Sequence, residues 1–205
     1  MCGIQGARRC MGEGGRHHEC RDHGSPVYRR EHKSQVRELF ISVTRLLCPP
    51  NLRDAFEAYI MWSLAEEIDR IPAYYSEKGG GFWVALEGDC LVGMFGLEQV
   101  TNDAMELRRM YVDAGARRRG IACQMLQFAE DECRRRKVFK LELSTSELQS
   151  AALVLYRNAG YRLVREEFAE TASNSCDTTL KNICEERGSA SWNGSFLAGA
   201  PPYGA

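Results

Sequence analysis

The chain has 205 residues, enough for one domain with a sizeable core and hardly for two. Hydrophobic residues make up 44%, charged residues 27%, and the formal net charge is -1, so nothing global points to nucleic acid or to a membrane surface. No apolar stretch approaches a membrane span, and Met1 to Cys20 lacks the apolar core of a secretory signal, so a cytoplasmic location is expected.

Residues 1–26 are rich in Gly, Arg and His without periodicity and read as a flexible N-terminal extension. Cys10, His17, His18, Cys20 and His23 are metal-ligand types, but their spacing fits no standard zinc pattern, and no metal is expected. The nine cysteines are odd in number and none forms a C-x-x-C pair, which fits reduced thiols. Val27-Tyr28-Arg29-Arg30 is a candidate first strand. Val36, Leu39, Phe40, Val43, Leu46 and Leu47 then mark one face of a helix that Pro49-Pro50 ends. Asn51 is the expected N-cap of a second helix, where Phe56, Ile60, Leu64 and Ile68 repeat every four residues and Ile71-Pro72 terminates. Gly79-Gly80-Gly81 precedes a hairpin with arms Phe82–Leu86 and Leu91–Leu97 and a turn at Glu87-Gly88-Asp89.

Glu106 to Asp113 reads as a strand, Ala114-Gly115-Ala116 as a turn, and Arg117-Arg118-Arg119-Gly120-Ile121-Ala122 as the entry to a helix. Ile121, Ala122, Met125, Leu126, Ala129 and Cys133 give residues 120–136 an amphipathic pattern, closed by Arg134, Arg135, Arg136 and Lys137 at its negative end. A strand over Val138–Leu143 follows. Ser146-Glu147-Leu148-Gln149 resembles a capping box opening another helix, which carries Leu155 and Tyr156 and stops near Gly160. Tyr161 to Val164 resumes strand character. Within 171–205 only Thr178–Cys184 is a strand candidate, a weak one, and residues 186–205, rich in Gly, Ser, Ala and Pro, read as disordered.

The helix entry at Gly120 carries chemistry of its own. Its first N–H groups have no partner inside the helix, the dipole is positive there, and three arginines stand beside it, which suits a polyanion such as a pyrophosphate. Gly120 leaves room for the anion to approach the backbone. A solvated helix start would carry the same run of arginines.

The Arg-x-x-Gly-x-Ala pattern at Arg117–Ala122 resembles the acyl-CoA-binding motif of the GNAT (Gcn5-related N-acetyltransferase) superfamily. Leu155, Tyr156, Gly160 and Tyr161 match its Leu-Tyr-x-x-x-Gly-Tyr ending, with the right elements between. The resemblance implies a mixed α/β (α+β) GNAT fold over 27–170. Its mostly antiparallel, twisted sheet would have a splayed parallel strand pair and flanking helices. It implies acetyl-CoA as acyl donor, bound by the backbone of Met110, Tyr111 and Val112 and by Arg117, Arg118, Arg119, Gly120, Ile121 and Ala122. Gln149 occupies the place where many relatives carry Asn.

It further implies direct acetyl transfer to a primary amine on a small molecule or peptide, in a ternary complex. Glu106 matches the glutamate base of the histone-acetyltransferase branch, with Glu98 as rival, and Tyr156 matches the tyrosine that approaches the donor sulfur. Residues 47–75 correspond to the region that shapes the acceptor cleft, where Tyr59, Trp62, Tyr74 and Tyr75 are aromatic candidates. An arginine at 108 or 109 facing that cleft would favour an acidic acceptor. Many relatives dimerise. The alternative is an acyl-CoA sensor without catalysis. Nucleic-acid binding through the arginine runs is disfavoured by the net charge and the absence of interleaved aromatics.

Overall fold

The computed structural model describes residues 27–170 and 179–188, with side chains over 27–164. The expected metal-ligand types at Cys10 to His23 and most of the tail lie outside the described residues. Val27 makes only an isolated bridge to Trp83, and Tyr28 N–H donates to the Phe82 carbonyl. A strand does not continue, because His32 Nδ1 accepts from Arg29 N–H (3.0 Å) and turns the chain into a 3-10 segment at Arg30–His32.

Helix α1 (Lys33–Leu46) buries Val36, Leu39, Phe40 and Val43. Leu46 departs from the expected face. It stands at the edge of the stripe in the last turn and is exposed. Asn51 does not cap helix α2 (Arg53–Glu66): it lies inside a 3-10 turn, Pro50–Leu52, closed by Leu52 N–H on the Pro49 carbonyl. Ile71-Pro72 does not end that helix either. The chain leaves α2 at Glu67, passes through a 3-10 turn at Ile68–Arg70, and starts helix α3 (Ile71–Glu77) with Pro72 in the first turn, where its missing N–H costs nothing.

The six strands are β1 (Gly81–Glu87), β2 (Cys90–Gln99), β3 (Ala104–Val112), β4 (Lys140–Ser146), β5 (Arg162–Glu170) and β6 (Thr179–Gly188). Their order is β1-β2-β3-β4-β6-β5, and only β3 and β4 run parallel. The two-residue turn Gly88-Asp89 closes the first hairpin, with Gly88 at φ +59°.

The last strand corrects the sequence reading twice. It spans ten residues and runs to Gly188, into the stretch expected to be disordered, and it lies between β4 and β5, so the sheet extends past the boundary expected at 170. Helix α4 (Ile121–Arg135) packs as its stripe demands. Helix α5 (Ser150–Asn158) opens without a capping box, because Ser146 Oγ accepts from Leu148 N–H (3.2 Å) within the preceding turn.

The sheet separates two cores. Trp83, Phe95, Leu97, Met105, Leu107, Leu141 and Leu143 pack with α4 and α5 on one face. Phe82, Val84 and Met94 pack with α1, α2 and α3 on the other. Among the described residues Cys48, Cys90, Cys123 and Cys133 form no disulfide, and Cys133 fills the first core.

On the second face Gly96 lies under the fully buried Tyr75 ring, and a Cβ there would overlap it. Gly96→Ala should therefore cost about 1–3 kcal/mol through overpacking. Chemical denaturation would show this as a lower midpoint at unchanged slope, and an unchanged midpoint would contradict the packing.

Candidate active site

Strands β3 and β4 pair over only four residues, from Ala104 opposite Lys140 to Leu107 opposite Leu143. Beyond that point β4 continues against β6, while β3 from Arg108 to Val112 pairs with β2 alone. One edge of β3 is thereby freed over the segment that contains Met110, Tyr111 and Val112.

A bulge at Arg109 accompanies the separation. The β2–β3 register shifts between Met94 and Gly96, and Arg109 has φ +52°, a left-handed conformation that costs a non-glycine residue about 1–2 kcal/mol. The bulge also inverts the alternation of the strand. Met105 and Leu107 face the α4–α5 core before it, and Met110 and Val112 face that same core after it.

Arg109 is turned the other way, toward α2. Its Nε and Nη2 donate to Glu67 Oε2 at 2.9 and 2.7 Å, its Nη2 to Ser63 Oγ at 3.3 Å, and its Nη1 to the Tyr59 hydroxyl. The guanidinium lies 5.1 Å from the Phe40 ring centroid and 5.6 Å from that of Tyr59. Its side chain is 6% exposed and that of Glu67 3%. Glu67 Oε1 accepts from the Tyr75 hydroxyl at 2.6 Å. Burial pushes the Glu67 carboxyl up, but Arg109 and Tyr75 outweigh it and hold the group below its ordinary value. Sequence reasoning missed Glu67. The signal was present, because Ile60, Ser63, Leu64 and Glu67 form an i, i+3, i+4, i+7 stripe with a carboxylate in its last slot.

Arg108 lies among three carboxylates, with contacts of 3.4 Å to Glu67, Glu98 and Glu106. Both arginines also line the cleft at the strand separation, but each is already engaged by carboxylates, Arg109 by Glu67 and Arg108 by all three. Glu98 is buried and also accepts from the Tyr74 hydroxyl at 3.0 Å. Burial, reinforced by the Glu98 charge, pushes Tyr74 up to about 12. The Glu106 side chain is 22% exposed, and Arg108 Nη1 donates to it at 3.4 Å. Burial, helped by the charge of Glu98 and against that of Arg108, raises the Glu106 carboxyl.

A cleft of about 470 Å³ opens at the strand separation. Glu106, Tyr111 and Gln149 line it, with Leu47, Phe56 and Tyr59 on the helical side and Ser144 and Ser146 on the β4 side. Of the four aromatic candidates for the acceptor wall only Tyr59 is there. Tyr74 and Tyr75 are bonded beneath the sheet, and Trp62 is exposed elsewhere on α2. Met110, Val112 and Tyr156 do not line the cleft. Tyr156 is buried on α5 and reaches β3 from the opposite face, its hydroxyl 3.8 Å from Met110 Sδ.

The helix entry lies apart from this cleft. Gly120 precedes α4 at φ +80°, with no atom within 4 Å of where a Cβ would stand. Its constraint inside the protein is thus the left-handed backbone, and the space beside it is open. The first helical bond runs from Gln124 N–H to the Gly120 carbonyl, so the N–H groups of Ile121, Ala122 and Cys123 have no acceptor within the helix. Arg117 and Arg118 are exposed, whereas Arg119 is held by Glu87 at 2.6 Å. Arg117 makes one long contact, its Nε donating to the Val112 carbonyl at 3.5 Å, so an anion seated on these N–H groups meets Arg117 and Arg118 without a competing carboxylate, and Arg119 with one.

This frame, with its parallel pair that parts beside an open helix N-terminus, is that of an acyltransferase. Residues 44–161 match the family described as Acetyltransferase (GNAT) family, and the chain belongs to it. GNAT enzymes use acetyl-CoA as the acyl donor. Human N-acetyltransferase 8 is 31% identical over 120 residues, covering 54% of this chain and 51% of that protein. The N-acetyltransferase YsnE of Bacillus subtilis is 34% identical over 91 residues, covering 43% and 60%. The chain spans about half the length of the first of these relatives. A GNAT-family acetyltransferase structure from Staphylococcus aureus Mu50 superposes with a TM-score of 0.63 at 21% identity, covering 81% of this chain and 98% of that one. Among the described residues no helix is long and apolar enough to cross a membrane.

The raised Glu106 carboxyl carries a stability consequence. The fold favours its protonated form, so that contribution is fully present below the unfolded carboxyl value and is lost as pH rises through the folded one. Glu106→Gln should accordingly raise the unfolding midpoint at pH 7–8 and give no advantage near pH 4 (about the unfolded glutamate value). A gain of equal size at both pH values would contradict this.

Proposed function

We propose that the chain is an acetyl-CoA-dependent N-acetyltransferase that transfers the acetyl group to a primary amine by direct attack within a ternary complex. The observation that carries this reading is the cleft at the β3–β4 separation, with Glu106 on its wall and the freed Met110–Val112 edge beside it. The donor fits the residues present. The open N–H groups of Ile121 and Ala122, the free space over Gly120, and Arg117 and Arg118 suit its pyrophosphate, with Arg119 joining only by leaving Glu87. The β3 backbone suits the pantetheine arm, and the Gln149 amide can bond it from the β4 side. Acetyl-CoA supplies an activated thioester.

The remaining work falls to two side chains. An alkyl amine arrives protonated, with a pKa near ~10.4 taking lysine as a guide. Glu106 takes that proton, directly or through a water, and the freed nitrogen attacks the thioester carbonyl. Glu98 is less suited, because Tyr74 and Arg108 occupy it and it is absent from the cleft wall. As the C–S bond breaks, the Tyr156 hydroxyl donates a proton to the sulfur; the nitrogen gives up its second proton to solvent as the amide forms, and Tyr156 is reprotonated from solvent. Cys123 lies on the surface of α4, where partial desolvation by its neighbours raises the thiol, which argues against a covalent route. The size of the cleft suits a small amine or a single side chain of a peptide.

Free-thiol release from acetyl-CoA, measured against polyamines, amino acids, aminoglycosides and lysine peptides, tests the reaction. Release that depends on one acceptor is expected. Tight CoA binding without release for every amine would favour the sensing module instead. Within an active enzyme, Glu106→Gln should lower turnover about 10²–10⁴-fold with donor affinity little changed. Tyr156→Phe should slow turnover more than it weakens donor binding, and full activity would remove its role as acid.

A further inference from the structure

Glu67 and Arg109 take no part in the proton transfers, yet they form the most enclosed charged pair at the site. We infer that Glu67 is a positioning residue for the donor: through Arg109 it holds the β3 bulge that turns the Met110–Val112 edge toward the cleft. The inference rests on the donor role proposed for that edge.

The strand pattern shows what is being held. Met105 and Leu107 face the α4–α5 core, and so do Met110 and Val112, which requires one extra residue between them. Arg109 is that residue. Without the bulge, regular alternation would place Arg109 in line with Leu107, against an apolar core that offers a guanidinium no partner. It would also turn Met110 to the opposite face. A left-handed arginine does not hold such a bulge by local preference. It is held at its far end, where Glu67 receives two of its N–H groups and Ser63 and the Tyr59 hydroxyl receive others, with the Phe40 and Tyr59 rings beside it.

Glu67 is itself fixed from two sides. Its backbone N–H closes the last turn of α2 on the Ser63 carbonyl, and its second oxygen accepts from Tyr75, whose ring lies over Gly96 of β2. One carboxylate thus ties α2, α3, β2 and β3 together. Helix α2 also contributes Phe56 and Tyr59 to the cleft, so the same tie sets the acceptor wall against the donor strand.

The test compares wild type, Glu67→Gln and the double variant Glu67→Gln/Arg109→Gly. Three readouts are taken: CoA binding by calorimetry, amide hydrogen exchange of the segment 108–113 without ligand, and the thermal midpoint. Glu67→Gln should weaken CoA binding about tenfold, short of the roughly hundredfold loss that a misplacement of an ångström can bring, and should speed exchange of the segment. Glycine adopts the left-handed conformation without side-chain support. The double variant should therefore regain CoA affinity and slow exchange while its thermal midpoint stays low, a separation that a purely structural role would not produce.

A folded Glu67→Gln protein with wild-type affinity and exchange would overturn the inference, and so would a double variant no better than the single one. If Glu67→Gln does not fold, the double variant against wild type decides: affinity and exchange near wild type support the lock, and their loss overturns it. A wild-type chain that binds no CoA would overturn the proposed donor site, while the exchange readout would still decide the lock.

Discussion

Everything at the site depends on two parallel strands that pair over four residues and then part. Parallel pairing ordinarily continues as long as both strands do, because each unpaired N–H and C=O in a sheet interior must find another partner. Here β4 keeps its second neighbour, β6, along its whole length, so its own ladder survives on one side. Strand β3 keeps β2 and gives up β4 after Leu107. The result is a short backbone edge in the middle of a sheet, flanked by a cleft and by the open start of α4. A ligand with an amide-bearing arm can complete that edge as an additional strand would.

The charges beside the separation follow a similar logic. Glu67, Glu98 and Glu106 surround Arg108 and Arg109, three carboxylates against two guanidiniums. Glu67 has the closest partner and is held ionised. Glu98 shares Arg108 and gains Tyr74. Glu106 is left with one long contact, a partly desolvated carboxyl and a place on the cleft wall. Two carboxylates on the same strand pair, directly opposite each other in register at Glu98 and Glu106, thus receive different environments. Glu98 is tied to its partners, whereas Glu106 faces the cleft.

Much of the frame was legible because its signals are local. The α4 stripe, the hairpin around Gly88 and the helix start at Gly120 follow from periodicity and turn chemistry within a few residues. The two family motifs, Arg117–Ala122 and Leu155–Tyr161, likewise each lie in one short contiguous stretch. What escaped depends on distant partners. Thr179 to Gly188 shows little alternation, and its place between β4 and β5 is set by pairing with strands already laid down. Helix α3 was hidden because Ile71-Pro72 reads equally as a stop and as a first turn. The bulge left a trace, since the large aliphatic residues of β3 are Met105 and Leu107 before it and Met110 and Val112 after it, a change from odd to even numbers. Reading it as an insertion requires knowing that both sets meet the same core.

The position of Tyr156 shows why the two chemical candidates need not meet in the protein itself. Glu106 opens on the face covered by α1 and α2, while Tyr156 comes to Met110 from the face covered by α5. In an addition–elimination at a thioester carbonyl the proton acceptor serves the incoming nitrogen and the proton donor the departing sulfur, two different atoms of the tetrahedral intermediate, so the two side chains need not touch. A sheet that stays closed between β3 and β4 would keep those two side chains in separate cores. Their separation after Leu107 and Leu143 opens the sheet between those two faces, and the inverted alternation at Arg109 leaves Met110, the residue Tyr156 touches, on the α5 side. The interruption in pairing and the extra residue in β3 thus act together: the first opens the path, and the second orients the strand that borders it.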